Sequence, residues 1–173
     1  MARKTSVGLT PQQYGKEFEN RIQGLLTKLQ TKTRMRFHRL YDTSSTGIAG
    51  NALPEQDGDF IVVAHGKHWL IEVKSSFEHT SLGESRRSLT GLMKDHQAAG
   101  QRLACRAGGY GLVIFHQADT PYVEFWRGDH VGECYIKRGE HLDFGFQRRV
   151  PAIDADLTEA LQLVLTNPKE LFY

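Results

Sequence analysis

Residues 57–74 constrain this chain more than any other stretch. Asp57-Gly58-Asp59 leads into the apolar run Phe60-Ile61-Val62-Val63-Ala64; His65-Gly66 follows, and Lys67-His68-Trp69-Leu70-Ile71 ends in Glu72-Val73-Lys74. Two short apolar runs separated by a Gly-containing pair read as a tight β-hairpin. A two-residue loop at His65-Gly66 pairs Ala64 with Lys67 and, counting back, sets Asp59 opposite Glu72. Directly opposed side chains lie about 4.5–5.5 Å apart at Cβ, and Lys74, two residues beyond Glu72, shares its face. Carboxylates that close repel each other unless a cation lies between them. The hairpin therefore asks for a divalent cation with an ammonium group beside it. A loop centred on Gly66-Lys67 would instead bring Asp59 opposite Lys74, and a three-residue loop would turn Asp59 to the other face. The plain alternative is an ordinary hairpin with solvated polar ends.

A chain of 173 residues fits one domain with a sizeable core. No apolar run approaches the roughly 20 residues that span a bilayer, and the polar N-terminus has no signal-peptide core. A cytoplasmic protein without a membrane segment is expected. Cys105 and Cys134 lack metal-ligand spacing and read as reduced core residues. Residues 1–39 hold nine basic residues, Arg3, Lys4, Lys16, Arg21, Lys28, Lys32, Arg34, Arg36 and Arg39, against Glu17 and Glu19. That local balance of +7 in a chain of net charge +2 leaves −5 for the remainder. The asymmetry suits a polyanion such as nucleic acid, with a solvated helix face as the alternative.

A first helix opens at Thr10-Pro11-Gln12-Gln13, where Thr10 and Gln13 form a capping box around Pro11. Tyr14, Phe18, Ile22, Leu25, Leu26 and Leu29 then recur at helical spacing to about residue 30, with Glu19 at the flank of the stripe. Gly15, one turn before Glu19, leaves room for another backbone. Met35–Tyr41 reads as a strand, and residues 42–56 as a Ser/Thr/Gly-rich loop expected to contact substrate. A second helix is expected from about Leu89 to Arg106, with Leu89, Leu92, Met93, His96, Leu103 and Ala104 inward, ending at Gly108-Gly109. Strands follow over residues 110–115 and 122–126. Residues 128–150 give no clear pattern, and Asp156 with Glu159 is expected to cap a final helix ending before Pro168. The order α-β-β-β-α-β-β-α implies a central mixed sheet flanked by helices, with a core over about 10–127 and a C-terminal extension over 128–173.

Glu19, Asp59, Glu72, Lys74 and the carbonyl of Val73 form a credible site for one or two Mg²⁺ ions, which prefer oxygen ligands and keep several waters. Lys74 among carboxylates stays protonated and steadies developing phosphorane charge. Asp57, two residues from Asp59, is a rival ligand. Asp59 with Glu72-Val73-Lys74 thirteen positions on resembles the PD-(D/E)xK nuclease core, although Gly58 stands where the motif name has Pro. Gly15-Lys16-Glu17-Phe18-Glu19 resembles the first helix of Holliday junction resolvases of the archaeal Hjc and bacterial RecU types, viral members included. Asp95-His96-Gln97 followed by Gly108-Gly109 and an apolar strand is similar to the RecU arrangement. The resemblance covers roughly residues 12–116. It implies a restriction-endonuclease-like fold and a Mg²⁺-dependent endonuclease, Mn²⁺ substituting, whose catalytic residues are Glu19, Asp59, Glu72 and Lys74. It also implies metal ligation by Glu19, Asp59, Glu72 and Val73, with Gln97 as active-site support. Four-way junction DNA is the implied substrate, cut by a homodimer, with Arg3, Lys4, Arg34, Arg36, Arg86 and Arg87 on phosphates. A restriction or repair nuclease of the same fold, or a catalytically silent DNA-binding module, stays open.

Overall fold

The computed structural model describes residues 9–40, 56–76, 89–118, 120–137 and 148–172. Helix α1 (Pro11–Lys32) begins as its sequence dictates. Thr10 Oγ1 accepts from the Gln13 N–H, and the Gln13 side chain accepts from the Thr10 N–H. Its apolar stripe of Phe18, Ile22, Leu25, Leu26 and Leu29 is buried. Strands β1 (Met35–Arg39), β2 (Phe60–Ala64) and β3 (Lys67–Ser76) follow, then helix α2 (Asp95–Arg106), β4 (Tyr110–Gln117) and β5 (Tyr122–Arg127). Helix α3 (Gly128–Ile136), strand β6 (Arg148–Pro151), helix α4 (Asp154–Thr166) and the short α5 (Lys169–Phe172) complete the chain.

The six strands form one sheet in the order β1-β2-β3-β4-β5-β6. Only β3–β4 is parallel, and the chain crosses between those two through α2. One face carries Phe60, Val62, Trp69, Ile71, Leu112, Ile114, Val123 and Phe125, packed with the inner sides of α1 and α4 into the main core. Val113, Phe115 and Trp126 face the other way, into a smaller core with Leu89, Met93, Val131 and Cys134. The mixed α/β sheet with helices on both faces is thus the architecture expected of the sequence, and Trp69, Phe125 and Trp126 are core residues. Both cysteines are free. Among the described residues no helix is long and apolar enough to cross a membrane.

The hairpin has the two-residue turn. His65 and Gly66 take φ of 49° and 75°, the left-handed pair that a type I′ turn needs. The pairings run from Ala64 with Lys67 to Phe60 with Ile71, and Asp59, just before β2, donates its N–H to Ile71 O and comes beside Glu72.

Element boundaries and one helix face need correction. The helix expected over Leu89–Arg106 is broken at Met93-Lys94. Lys94 is extended there, and its N–H donates to Gln97 Oε1 at 3.1 Å, which restarts the helix at Asp95. The inner face of α2 is Gln97, Ala98, Gly100 and Gln101, whereas Leu103 is 59% exposed. Small residues and hydrogen-bonded glutamines let this helix lie close on the sheet, which apolar spacing does not signal. The final helix starts at Asp154 with Ile153 at the N-cap; Asp154 and Asp156 both lie in its first turn, where the helix dipole favours acids. Residues 128–150, unread in sequence, supply α3 and the sixth strand, so part of the segment beyond residue 127 completes the same sheet and core. The first strand stops at Arg39 and the first helix runs on to Lys32.

Candidate active site

The acids gather where β2 begins and in the second half of β3; Glu72 is in register with Val113 of β4, and β3 runs on to Ser76. The Asp59 backbone is locked between strands: its N–H donates to Ile71 O at 2.9 Å, and its carbonyl accepts from the Leu40 N–H at 2.8 Å. Its Oδ2 accepts from the Val73 N–H at 2.7 Å. Glu72, beside Asp59, is 1% exposed. Its Oε1 accepts from Lys74 Nζ at 2.7 Å and from Gln97 Nε2 at 2.7 Å. Gln97 Oε1 in turn accepts from Lys74 Nζ at 2.9 Å. One amide therefore holds both the acid and the amine, and the restart of α2 at Lys94 aims it there. Glu72 Oε2 is buried and has no hydrogen-bond partner.

Burial and the neighbouring Asp59 push the Glu72 carboxyl up to about 8, against the pull of Lys74. Burial also raises Asp59 to about 6; the Val73 N–H opposes this, and Glu19 adds to it. Burial thus disfavours the charge of both acids even with Lys74 against Glu72, and one Glu72 oxygen has no hydrogen-bond partner.

Glu19 comes from the flank of α1 and is tied back. Arg39, at the end of β1, donates to Glu19 Oε1, to Gln23 Oε1 at 2.6 Å and to Asn20 Oδ1 at 3.3 Å. Lys16 Nζ stands 3.8 Å from the other Glu19 oxygen. Among the described residues no three His, Cys, Asp or Glu side chains converge to hold a metal as they stand. The pair Asp59 and Glu72 does suit a hard cation: the donors are carboxylate oxygens, and Mg²⁺ takes few of them. The unpartnered Glu72 Oε2 is the observation that fits. Glu19 is a charge neighbour of both acids and is bonded through one oxygen to Arg39.

The other expected residues are distributed unevenly. Gln97 lies in the site. Asp57 is exposed and packs against Gly100 of α2, on the wall of a separate apolar cavity of about 780 Å³. Arg34 and Arg36 lie at the hairpin-turn end of β1, where Arg36 pairs with Val63 and the Arg34 carbonyl accepts from the His65 N–H. At about 3.3 Å per residue Arg36 is about 10 Å of strand from Arg39, with its side chain on the opposite face. Arg3, Lys4, Arg86, Arg87 and the loop over 42–55 lie outside the described residues.

Sequence reasoning missed three features. Arg39 was one basic residue among nine, and it meets Glu19, Asn20 and Gln23 because β1 folds back along α1. Gly15 faces not backbone but the Ser75 hydroxyl, 3.3 Å from where its Cβ would be. Tyr14, read as part of the apolar stripe, bonds through its hydroxyl to His116 Nδ1 at 2.6 Å.

No protein-family model and no curated protein matches this sequence. Among solved structures the chain is similar to Hjc, a Holliday junction resolvase from the archaeal hyperthermophile Archaeoglobus fulgidus. The match has 13% identity and a TM-score of 0.42, over 84% of this chain and 98% of that one.

Proposed function

We propose that this chain is a Mg²⁺-dependent endodeoxyribonuclease of the PD-(D/E)xK type that cuts four-way DNA junctions. One observation carries the reading: Asp59 and Glu72 are close neighbours beside β3, with the buried Glu72 Oε2 unpartnered and Lys74 alongside. Asp59 and Glu72, with the Val73 carbonyl and Glu19, would hold the ion. Such an ion lowers the pKa of a water and neutralises charge on a phosphoryl oxygen.

The protein's own groups do the rest. The Lys74 amine donates to Glu72 and would offer a hydrogen bond to a non-bridging oxygen as charge builds in the transition state. Gln97 fixes the Lys74 amine by accepting from it and fixes the Glu72 carboxylate by donating to it. Arg39 keeps the negative charge of Glu19 compensated in the absence of metal.

Paired symmetric nicks require two equivalent sites, which a C2 homodimer supplies. The reading is tested by comparing nicking of a four-way junction with nicking of a linear duplex built from the same arms, in Mg²⁺. Junction cutting that far exceeds duplex cutting, and that disappears in Asp59→Asn, is the expected result. Equal cutting of both substrates would leave a nuclease of broader preference, and salt-sensitive binding without cutting in Mg²⁺ or Mn²⁺ would leave a silent binding module.

A further inference from the structure

Beside the acids a cleft of about 660 Å³ runs between the first turns of α1 and the end of β3, lined by Gln12, Gly15, Lys16, Glu19, Lys74 and Ser75 among others. Glu19 and Lys74 belong to the site above, whereas Lys16 and Ser75 have no part in it. The Lys16 side chain is 62% exposed, and its contact with Glu19 is long at 3.8 Å, while Arg39 already compensates that carboxylate. Its positive charge is therefore largely available to the cleft.

The Ser75 hydroxyl makes no hydrogen bond among the described residues. It reaches the surface of α1 because Gly15 has no side chain there; a Cβ would stand 3.3 Å from Ser75 Oγ. A glycine inside a helix costs about 1 kcal/mol relative to Ala, and here it opens a view of the strand. The spacing between helix and strand is also pinned. Ser75 pairs in register with His116, and His116 is held to α1 by the Tyr14 hydroxyl at 2.6 Å and by ring contact with Phe18. Lys16 and Ser75 thus face one cleft from two elements clamped together, and Glu19 lines the same cleft.

A cation and a neutral hydroxyl donor are the pair that phosphates take from proteins without base readout. We infer that Lys16 and Ser75 form a phosphate-holding subsite for the nucleotide next to the scissile bond. The inference rests on the nuclease reading and adds a track for the cut strand along α1. It makes these two residues positioning groups: they set where the strand lies, while the acids and Lys74 act on the bond.

The test combines equilibrium binding of a fluorescent four-way junction across a salt series with steady-state cleavage in Mg²⁺. It uses the wild type, Lys16→Gln, Lys16→Arg and Ser75→Ala, each first shown to melt like the wild type. One lost phosphate contact should lower the slope of log K against log salt by about 0.9 in Lys16→Gln, and Lys16→Arg should restore it. KM should rise several-fold in Lys16→Gln and less in Ser75→Ala, with kcat within about two-fold of the wild type. A wild type that binds and cuts, alongside Lys16→Gln and Ser75→Ala variants with unchanged slope and KM, overturns the subsite and leaves the nuclease reading standing. A wild type with neither salt-sensitive DNA affinity nor cleavage overturns both.

Discussion

Glu72 concentrates the chemistry of the site in one side chain. Between the ordinary glutamate value of 4.5 and about 8, the folded chain keeps a proton that the unfolded chain has lost. Stability therefore falls as pH rises through that window. Without metal, Tm should be higher near pH 5 than near pH 8, and Glu72→Gln should flatten that slope and raise Tm at pH 8. A gain of 1 kcal/mol corresponds to about 2–4 °C in a chain of this size. Scanning calorimetry across the pH range checks it; a Glu72→Gln variant that melts below wild type at pH 8 would contradict it. Mg²⁺ competes with that proton, so added Mg²⁺ should raise Tm more at pH 8 than at pH 5. Gln97 is the other decisive residue. Gln97→Leu takes a donor from Glu72 and an acceptor from Lys74, and such supporting groups cost about 10–100-fold in activity when lost. Single-turnover cleavage should show a loss of that size in the rate, with DNA affinity retained.

At the scale of elements, what was legible in the sequence was what local chemistry sets. The His65-Gly66 turn determines its own register, so the nearness of Asp59 and Glu72 was readable from spacing. Thr10, Pro11 and Gln13 likewise announce α1 within four residues. Arg39 was not legible, because its partners Glu19, Asn20 and Gln23 depend on how β1 packs back along α1. Nor was α3, which starts at Gly128 with no side-chain cap and is positioned by contact. A Cβ at Gly128 would stand 1.9 Å from Gln101 Oε1 and 2.8 Å from the Gly111 backbone. Gly128→Ala should therefore destabilise the fold by about 1–3 kcal/mol, the usual cost of overpacking. Gly24, in the middle of α1, has nothing within 4 Å of its Cβ position. Gly24→Ala should stabilise by about 0.5–1 kcal/mol. Urea melts of the two variants should shift in opposite directions.

For the whole molecule, one sheet does two jobs with its two faces. Its α1–α4 face is sealed by aliphatic and aromatic side chains, so a stable core does not depend on the polar residues opposite. Its other face carries the acids at one end, braced by the first turn of α2. The crossover between the only parallel strands brings Gln97 to the end of β3, and α1 brings Glu19 and Lys16 to the same place from the other side. The central claim is that Asp59 and Glu72 are an incomplete cation site that metal turns into a nuclease. The most direct measurement is the rate of junction nicking as Mg²⁺ is titrated, for wild type and Glu72→Gln side by side. The account predicts a wild-type rate that saturates with Mg²⁺ and vanishes with chelator, and a Glu72→Gln loss exceeding the about 10–100-fold expected of a merely supporting residue. Cleavage that persists without divalent metal, or that Glu72→Gln leaves intact, would contradict it.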